Sequence, residues 1–341
     1  MKQVSIRQVA ELSGVSIATV SRCLNNPERV SPHTRERVQA AILATGYSPN
    51  SLAQSFRRGH TNIIMVVLPS VGDPFFTGVM RGIRDELEPQ GYSIIISETA
   101  FNTLTADEVG AMLVSRQADG IILLASVFPY GPEVLSQARR NAQPIVIGCE
   151  TLSPALSSLP SVHIDNTAAA SDATRHLLSL GHRRIAFMTG KTTSPLTRDR
   201  EAGYRAAMAG AGVVIDEAWV VEGGMSIEGA VAATGTLLAA ARPPTAIFCA
   251  NDEMALACLH ALRQSGIQVP GQVSVMGFDD TRYAAISQPP LTTMAQPAIE
   301  IGRQVALRLL SAIDAPATTR HEAVIVPHHL VIRESVAPPP A

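Results

Sequence analysis

Arg22 stands in the run Ser16-Ile17-Ala18-Thr19-Val20-Ser21-Arg22-Cys23-Leu24-Asn25, where residue types and helical spacing favour reading a nucleic acid. With Val20 and Leu24 turned inward, Ile17, Ala18, Ser21 and Arg22 share the outward side of a short helix. A guanidinium in that position pairs with O6 and N7 of guanine, and small apolar groups meet thymine methyls. Ser5, Ser16, Thr19, Asn25, Ser31, Thr34 and Asn50 are short hydroxyl or amide groups suited to phosphate oxygens. Ser16 and Ser31 also suit helix N-caps, and the two roles are compatible.

Catalytic chemistry finds little support. The chain has no GxSxG elbow, no HExxH and no glycine-rich phosphate loop of the GxGxxG or GxxxxGK[ST] kind. Its four cysteines, Cys23, Cys149, Cys249 and Cys258, lack metal-type CxxC spacing and mostly lie in apolar runs. No enzyme activity, metal or cofactor is therefore expected.

The elements that must present Arg22 are legible. Ser5-Ile6-Arg7-Gln8 is a capping box, and Ile6, Val9 and Ala10 mark the buried face of a first helix. Gly14 supplies a tight turn into the second helix, which gives a helix-turn-helix. Ser31-Pro32 opens a third helix through Val38, Ala41 and Ile42, and Gly46 ends it. Residues 1–60 hold eight Lys/Arg against three Glu, a balance of +5. The remaining 19 basic and 26 acidic residues give −7, so a basic head precedes an acidic body. Such a head suits a polyanion.

After residue 62 the pattern changes to apolar runs alternating with helical stretches. Ile63–Leu68, Tyr92–Ile96, Gly120–Leu124 and Ile145–Gly148 read as strands, and a second set follows at Arg184–Thr189, Trp219–Glu222, Ala246–Cys249 and Ser274–Gly277. This alternation predicts an α/β body of two parallel sheets, with a ligand crevice at the carboxyl ends of the strands. Asp165-Asn166 and Asp252 read as helix caps. At 341 residues the chain is long enough for two or three domains. No apolar run spans a bilayer, and residues 1–7 enter a polar helical pattern without an apolar signal core. A cytoplasmic protein is the expectation.

The run from Val9 to Arg57 resembles the head of the LacI/GalR repressor family. In the body the resemblance is carried by Asp73-Pro74-Phe75-Phe76, His163-Ile164-Asp165-Asn166, Leu180-Gly181-His182-Arg183-Arg184-Ile185, Asn251-Asp252-Glu253-Met254, Gly277-Phe278-Asp279-Asp280 and Pro289-Pro290-Leu291-Thr292-Thr293. It implies an all-α DNA-binding domain at 1–48, a hinge helix and linker at 49–61, and an effector-binding, dimerising body at 62–335. The body would resemble periplasmic binding proteins. Its N-lobe is placed at about 62–163 plus 293–320, its C-lobe at about 164–290 plus 321–335, with a Pro-rich tail at 336–341.

The resemblance also assigns roles. Phe56 matches the leucine that wedges into the operator's minor groove, an unusual but apolar replacement. Phe75 and Phe76 match rings that contact effectors, Arg200 an arginine that hydrogen-bonds them, and Asn251 and Asp279 positions that bind hydroxyls. The quoted stretches look closest to the cytidine-repressor branch, which implies a nucleoside effector. Met225 replaces a phenylalanine that packs on the base, so the alternatives are a pentose or hexose effector, or a solute-binding protein without regulatory role. The implied partners are palindromic double-stranded operator DNA, a small effector and a second copy of the chain. The tail lacks a heptad repeat, so a dimer is expected rather than a tetramer.

Overall fold

The computed structural model describes residues 4–47, 60–99, 117–124, 133, 136, 138, 140, 143–150, 159–191, 194–314 and 323–340. They fall into two compact units, Met1–Thr61 and Asn62–Ala341.

The first unit contains helices α1 (Ile6–Ser13), α2 (Ile17–Asn25) and α3 (Pro32–Thr45). Val9, Ala10, Val20, Val38 and Ala41 form its core, with Ile6, Val15, Leu24 and Ile42 packed around them. Gly14 ends α1 at φ +63°, a left-handed conformation that favours glycine. A Cβ there would also lie 2.6 Å from Nη2 of Arg37. That guanidinium donates to the Ser13 carbonyl at 2.6 Å and so caps the end of α1 from α3.

The second unit holds two six-stranded sheets. The first comprises β1 (Ile63–Leu68), β2 (Ser93–Glu98), β3 (Gly120–Leu123), β4 (Ile145–Gly148), β5 (Ser161–His163) and β11 (Val324–Ile325), in the order β11-β5-β4-β3-β1-β2. The second comprises β6 (Ile185–Thr189), β7 (Val220–Glu222), β8 (Ala246–Cys249), β9 (Ser274–Asp279), β10 (Thr292–Ala295) and β12 (His329–Val331), in the order β12-β10-β9-β8-β6-β7. All pairings are parallel except β10 with β12. Most central strands are buried along their whole length, which is why they read as continuous apolar runs.

Helices α4 (Pro74–Leu87), α5 (Asn166–Ser179), α6 (Pro195–Gly210), α7 (Ile227–Leu238), α8 (Asp252–Gln264) and α9 (Ala298–Asp314) cover the sheets. Helices α4 and α9 approach very closely. A Cβ on Gly82 would sit 2.0 Å from the Ile299 carbonyl oxygen, and one on Gly302 2.0 Å from that of Val79.

The chain passes between the sheets after β5, after β10 and after β11. Thr292–Ala295 pairs with β9 in the second sheet and Val324–Ile325 with β5 in the first. The second and third crossings therefore come a few residues later than the sequence suggests, because backbone pairing sets them. The expected tail is fastened: the Ser335 hydroxyl donates to the Val275 carbonyl at 2.6 Å, and Ala337 is bonded to both Ser274 and buried His182. Among the described residues, no helix is long and apolar enough to cross a membrane.

Candidate DNA-reading helix and effector cleft

Helix α2 is set up by its cap. The Ser16 hydroxyl accepts from the Thr19 amide at 3.1 Å, and Ser31 does the same for Thr34 at 3.4 Å. Ser5 receives the return half of its capping box, donating its backbone N–H to Gln8 Oε1 at 2.8 Å. With Val20 buried, α2 leaves Ile17, Ala18 and Arg22 exposed and Ser21 half-buried. Ser5, Ser16 and Ser31 are exposed, and Thr19 and Thr34 half-buried beside them. Asn50, Phe56 and the side chain of Asn25 lie outside the described residues.

In the body, a cavity of about 380 Å³ opens where β1, β8 and β9 end. Small-molecule sites commonly have this size and lie at the carboxyl ends of parallel strands. Asp73 enters from the segment after β1, and Asn251, Glu253, Asp279, Thr281 and Tyr283 from the opposite lobe. Local backbone strain gathers here. Among the described residues, Cys149, Met225, Asp279 and Asp280 have φ values of 72°, 57°, 116° and 55°, each following or closing a strand at this end. Non-glycine residues hold such angles only when their surroundings impose them, and functional sites are where this collects.

Beside the cavity, Arg200 is 2 % exposed. Its Nε donates to Asn166 Oδ1 at 3.0 Å and its Nη1 to the Ala250 carbonyl, and its guanidinium lies 3.7 Å from the centre of the Phe278 ring. Asp279 Oδ1 is 3.8 Å from Nη1 and accepts from Gln296 Nε2 at 2.6 Å. Burial pushes the Asp279 carboxyl well above the ordinary range, against the pull of Arg200. The same desolvation lowers the arginine, with Asp279 opposing. Asp73 is raised by burial, partly offset by its bond from the Phe75 amide. Thr197 Oγ1 and Gln296 Oε1 are buried without a hydrogen-bond partner, as groups awaiting a ligand can be.

Of the six expected effector contacts, Asn251 and Asp279 line the cavity. Arg200 stands behind Asp279, engaged by protein groups. Phe75 and Phe76 are each 7 % exposed and join the apolar core, their rings edge-to-face at 5.3 Å. Met225 packs near Gly190, where a Cβ would meet its Cε at 2.6 Å. Asn251 also caps α8, accepting from the Met254 amide at 2.9 Å.

Asp252 does not cap, contrary to expectation. It is the first residue of α8 and accepts from Thr293 Oγ1 at 2.6 Å and the Thr281 amide at 2.7 Å, tying α8 to β10 and to the loop after β9. Asp165 is a cap, at 2.8 Å from the Ala168 amide. Sequence reasoning missed Asp73, Glu253, Thr281, Tyr283 and Gln296. Asp73 had a local signal, the Asp-Pro pair that opens a helix; the others meet only through the fold.

A basic three-helix unit followed by a two-sheet body with a crevice at its strand ends defines a DNA-binding regulator with a binding-protein body, and the chain belongs to the LacI family. The profile "Bacterial regulatory proteins, lacI family" matches residues 5–50 and "Periplasmic binding protein-like domain" matches 174–336. The chain is 38 % identical to the HTH-type transcriptional repressor CytR of Escherichia coli K12 over 306 residues, which is 90 % of this chain and 89 % of that one. It also resembles the solved transcriptional regulator CelR–cellobiose complex, at TM-score 0.74 and 33 % identity over 97 % of this chain and 99 % of that one. The lac repressor dimer bound to operator aligns at TM-score 0.82 and 27 % identity over 98 % and 100 %. The chain is a DNA-binding transcriptional regulator, as these relatives are.

Proposed function

We propose that this protein is a cytoplasmic repressor that binds palindromic double-stranded operator DNA as a homodimer, and that occupancy of its body by a small effector changes its hold on the operator. The observation that carries this is the exposed Ile17–Ala18–Arg22 face of a capped helix in a unit of charge +5. Arg22 reads guanine, Ile17 and Ala18 meet thymine methyls, Ser21 flanks them, and Ser5, Ser16, Thr19, Asn25, Ser31, Thr34 and Asn50 hold phosphates. Phe56 is assigned as the minor-groove wedge.

The effector occupies the cleft beside Asn251 and Asp279, with Arg200 and Met225 behind them and Phe75 and Phe76 supporting the N-lobe wall. The resemblance of the quoted stretches to the cytidine-repressor branch favours a nucleoside. A pentose or hexose is the second reading, favoured by Met225, which brings no ring to stack on a base. The link between the sites is a coupling free energy and acts in both directions.

Selection of duplexes from a random library, followed by fluorescence anisotropy with and without cytidine or ribose, tests both halves. A palindromic consensus with salt-dependent affinity is expected. Recovery of no preferred sequence would refute the DNA half. If affinity for the selected duplex stays the same at saturating ligand, the effector half fails.

A further inference from the structure

The cleft's charge pattern narrows the effector further, on the reading that the cleft is the effector site. Three acidic side chains, Asp73, Glu253 and Asp279, line the cavity with His260, and no Lys or Arg does so among the described residues. Burial raises Asp279 most, so the negative charge rests on Asp73 and Glu253. Arg200 stands nearby, but its charge already faces Asp279 and its Nε and Nη1 are committed to Asn166 and Ala250. Asp73, Glu150 and Asp252 add their fields at the same guanidinium.

The described residues that follow β1, β4, β7 and β8 reinforce this balance: 69–73, 149–150, 223–226 and 250–251 contain no Lys or Arg. Arg282, after β9, donates to its neighbour Tyr283 at 2.7 Å. Lys191, after β6, is the exception.

Helix N-termini are the other usual anchor for phosphate, through their unpaired amides. Here most are already taken by the chain's own side chains. Asp73 holds the start of α4, Asp165 that of α5, Ser226 that of α7 and Asn251 that of α8. Helix α6 begins without a side-chain cap.

We infer that the cleft selects an uncharged, hydroxyl-rich ligand and rejects its phosphate ester: a nucleoside or free sugar rather than a nucleotide or sugar phosphate. Carboxyl and amide oxygens accept from ligand hydroxyls, which an uncharged ring supplies. A phosphate placed among them meets like charge in a partly dehydrated site, which is strongly unfavourable.

Isothermal titration of the full chain with cytidine, cytidine 5′-monophosphate, ribose and ribose 5-phosphate tests this. At least one parent compound is expected to bind, with its ester weaker by about 100-fold or more. The gap should narrow in Asp73→Asn/Glu253→Gln, which removes two charges while asparagine retains the capping oxygen of α4. An ester binding as tightly as its parent overturns the inference. So does a gap that the double variant leaves whole, because charge would then not be its cause. Failure of all four compounds to bind overturns instead the effector reading on which the inference rests.

Discussion

Arg37 adds to the positive charge of the basic head, but its bond to Ser13 makes it part of the fold. Replacement by methionine keeps the apolar stem and removes the charge. The lost bond is a charged donor to the carbonyl of a residue only 3 % exposed, at 2.6 Å. Bonds of that kind contribute about 1.5–3 kcal/mol, and a cation at a helix carboxyl end adds about 0.3–1 kcal/mol. With five buried apolar side chains at its centre, the first unit has a small core. A loss of about 2 kcal/mol lowers its folded-to-unfolded ratio about thirtyfold. The assay pairs hydrogen exchange of α1–α3 with anisotropy on a DNA duplex across a salt series. Arg37→Met should speed exchange throughout the unit and weaken DNA binding increasingly with temperature, while the slope of log affinity against log salt stays as in the parent. A phosphate contact gives the reverse: unchanged exchange and a slope reduced by about 1. That result refutes the structural role.

Arg22→Ala should leave hydrogen exchange alone and flatten base preference at one operator position by about 1–3 kcal/mol, read from a panel of single-base variants of the selected duplex. Gly82→Ala forces a methyl onto the Ile299 carbonyl, where its Cβ has only 2.0 Å, so a loss of about 3 kcal/mol is expected in denaturant unfolding of the body. Arg200→Met leaves Asp279 buried beside Gln296 without its cation, and about 3–5 kcal/mol should be lost in the same experiment. Asp252 titrates at about 6 in the fold against an ordinary 3.8, because of burial. The folded state therefore binds the extra proton, and this group's contribution to stability rises as pH falls through 6 and levels off below 3.8. The upper limit is about 3 kcal/mol, and Asp252→Asn should remove that component from the pH dependence of the melting temperature.

The sequence was most legible where local physics decides. Ser16, Gly14 and Ser31-Pro32 mark helix ends by capping and backbone freedom, and the structure puts the ends there. Strands such as Ile63–Leu68 were visible because burial on both faces demands continuous apolar runs. The three-residue strand Ser161–His163 gives no periodic signal, and whether Thr292–Ala295 joins the first or second sheet depends on pairing with residues far along the chain. In the cleft, Asn251 and Asp252 are neighbours of similar polarity. Only the extended backbone of Asn251, with φ −149° and ψ 169°, makes it the cap and frees Asp252 to reach Thr293 and Thr281.

Capping also separates scaffold from reader. Ser16, Ser31, Asp73, Asp165 and Asn251 are residue types that a search for binding sites selects, yet each spends an oxygen on a helix start. An oxygen with two lone pairs can serve a ligand as well, but its position is then fixed by the helix it caps. On the proposed assignments, discrimination falls to side chains with no such duty: Ile17, Ala18 and Arg22 in the head, and Glu253 and Tyr283 at the cleft. The two sets should therefore behave differently under substitution. Changing a cap oxygen shifts stability and binding together, whereas Arg22→Ala or Glu253→Gln should alter which ligand is preferred while the melting temperature holds. A cap substitution that changed preference alone would break this division.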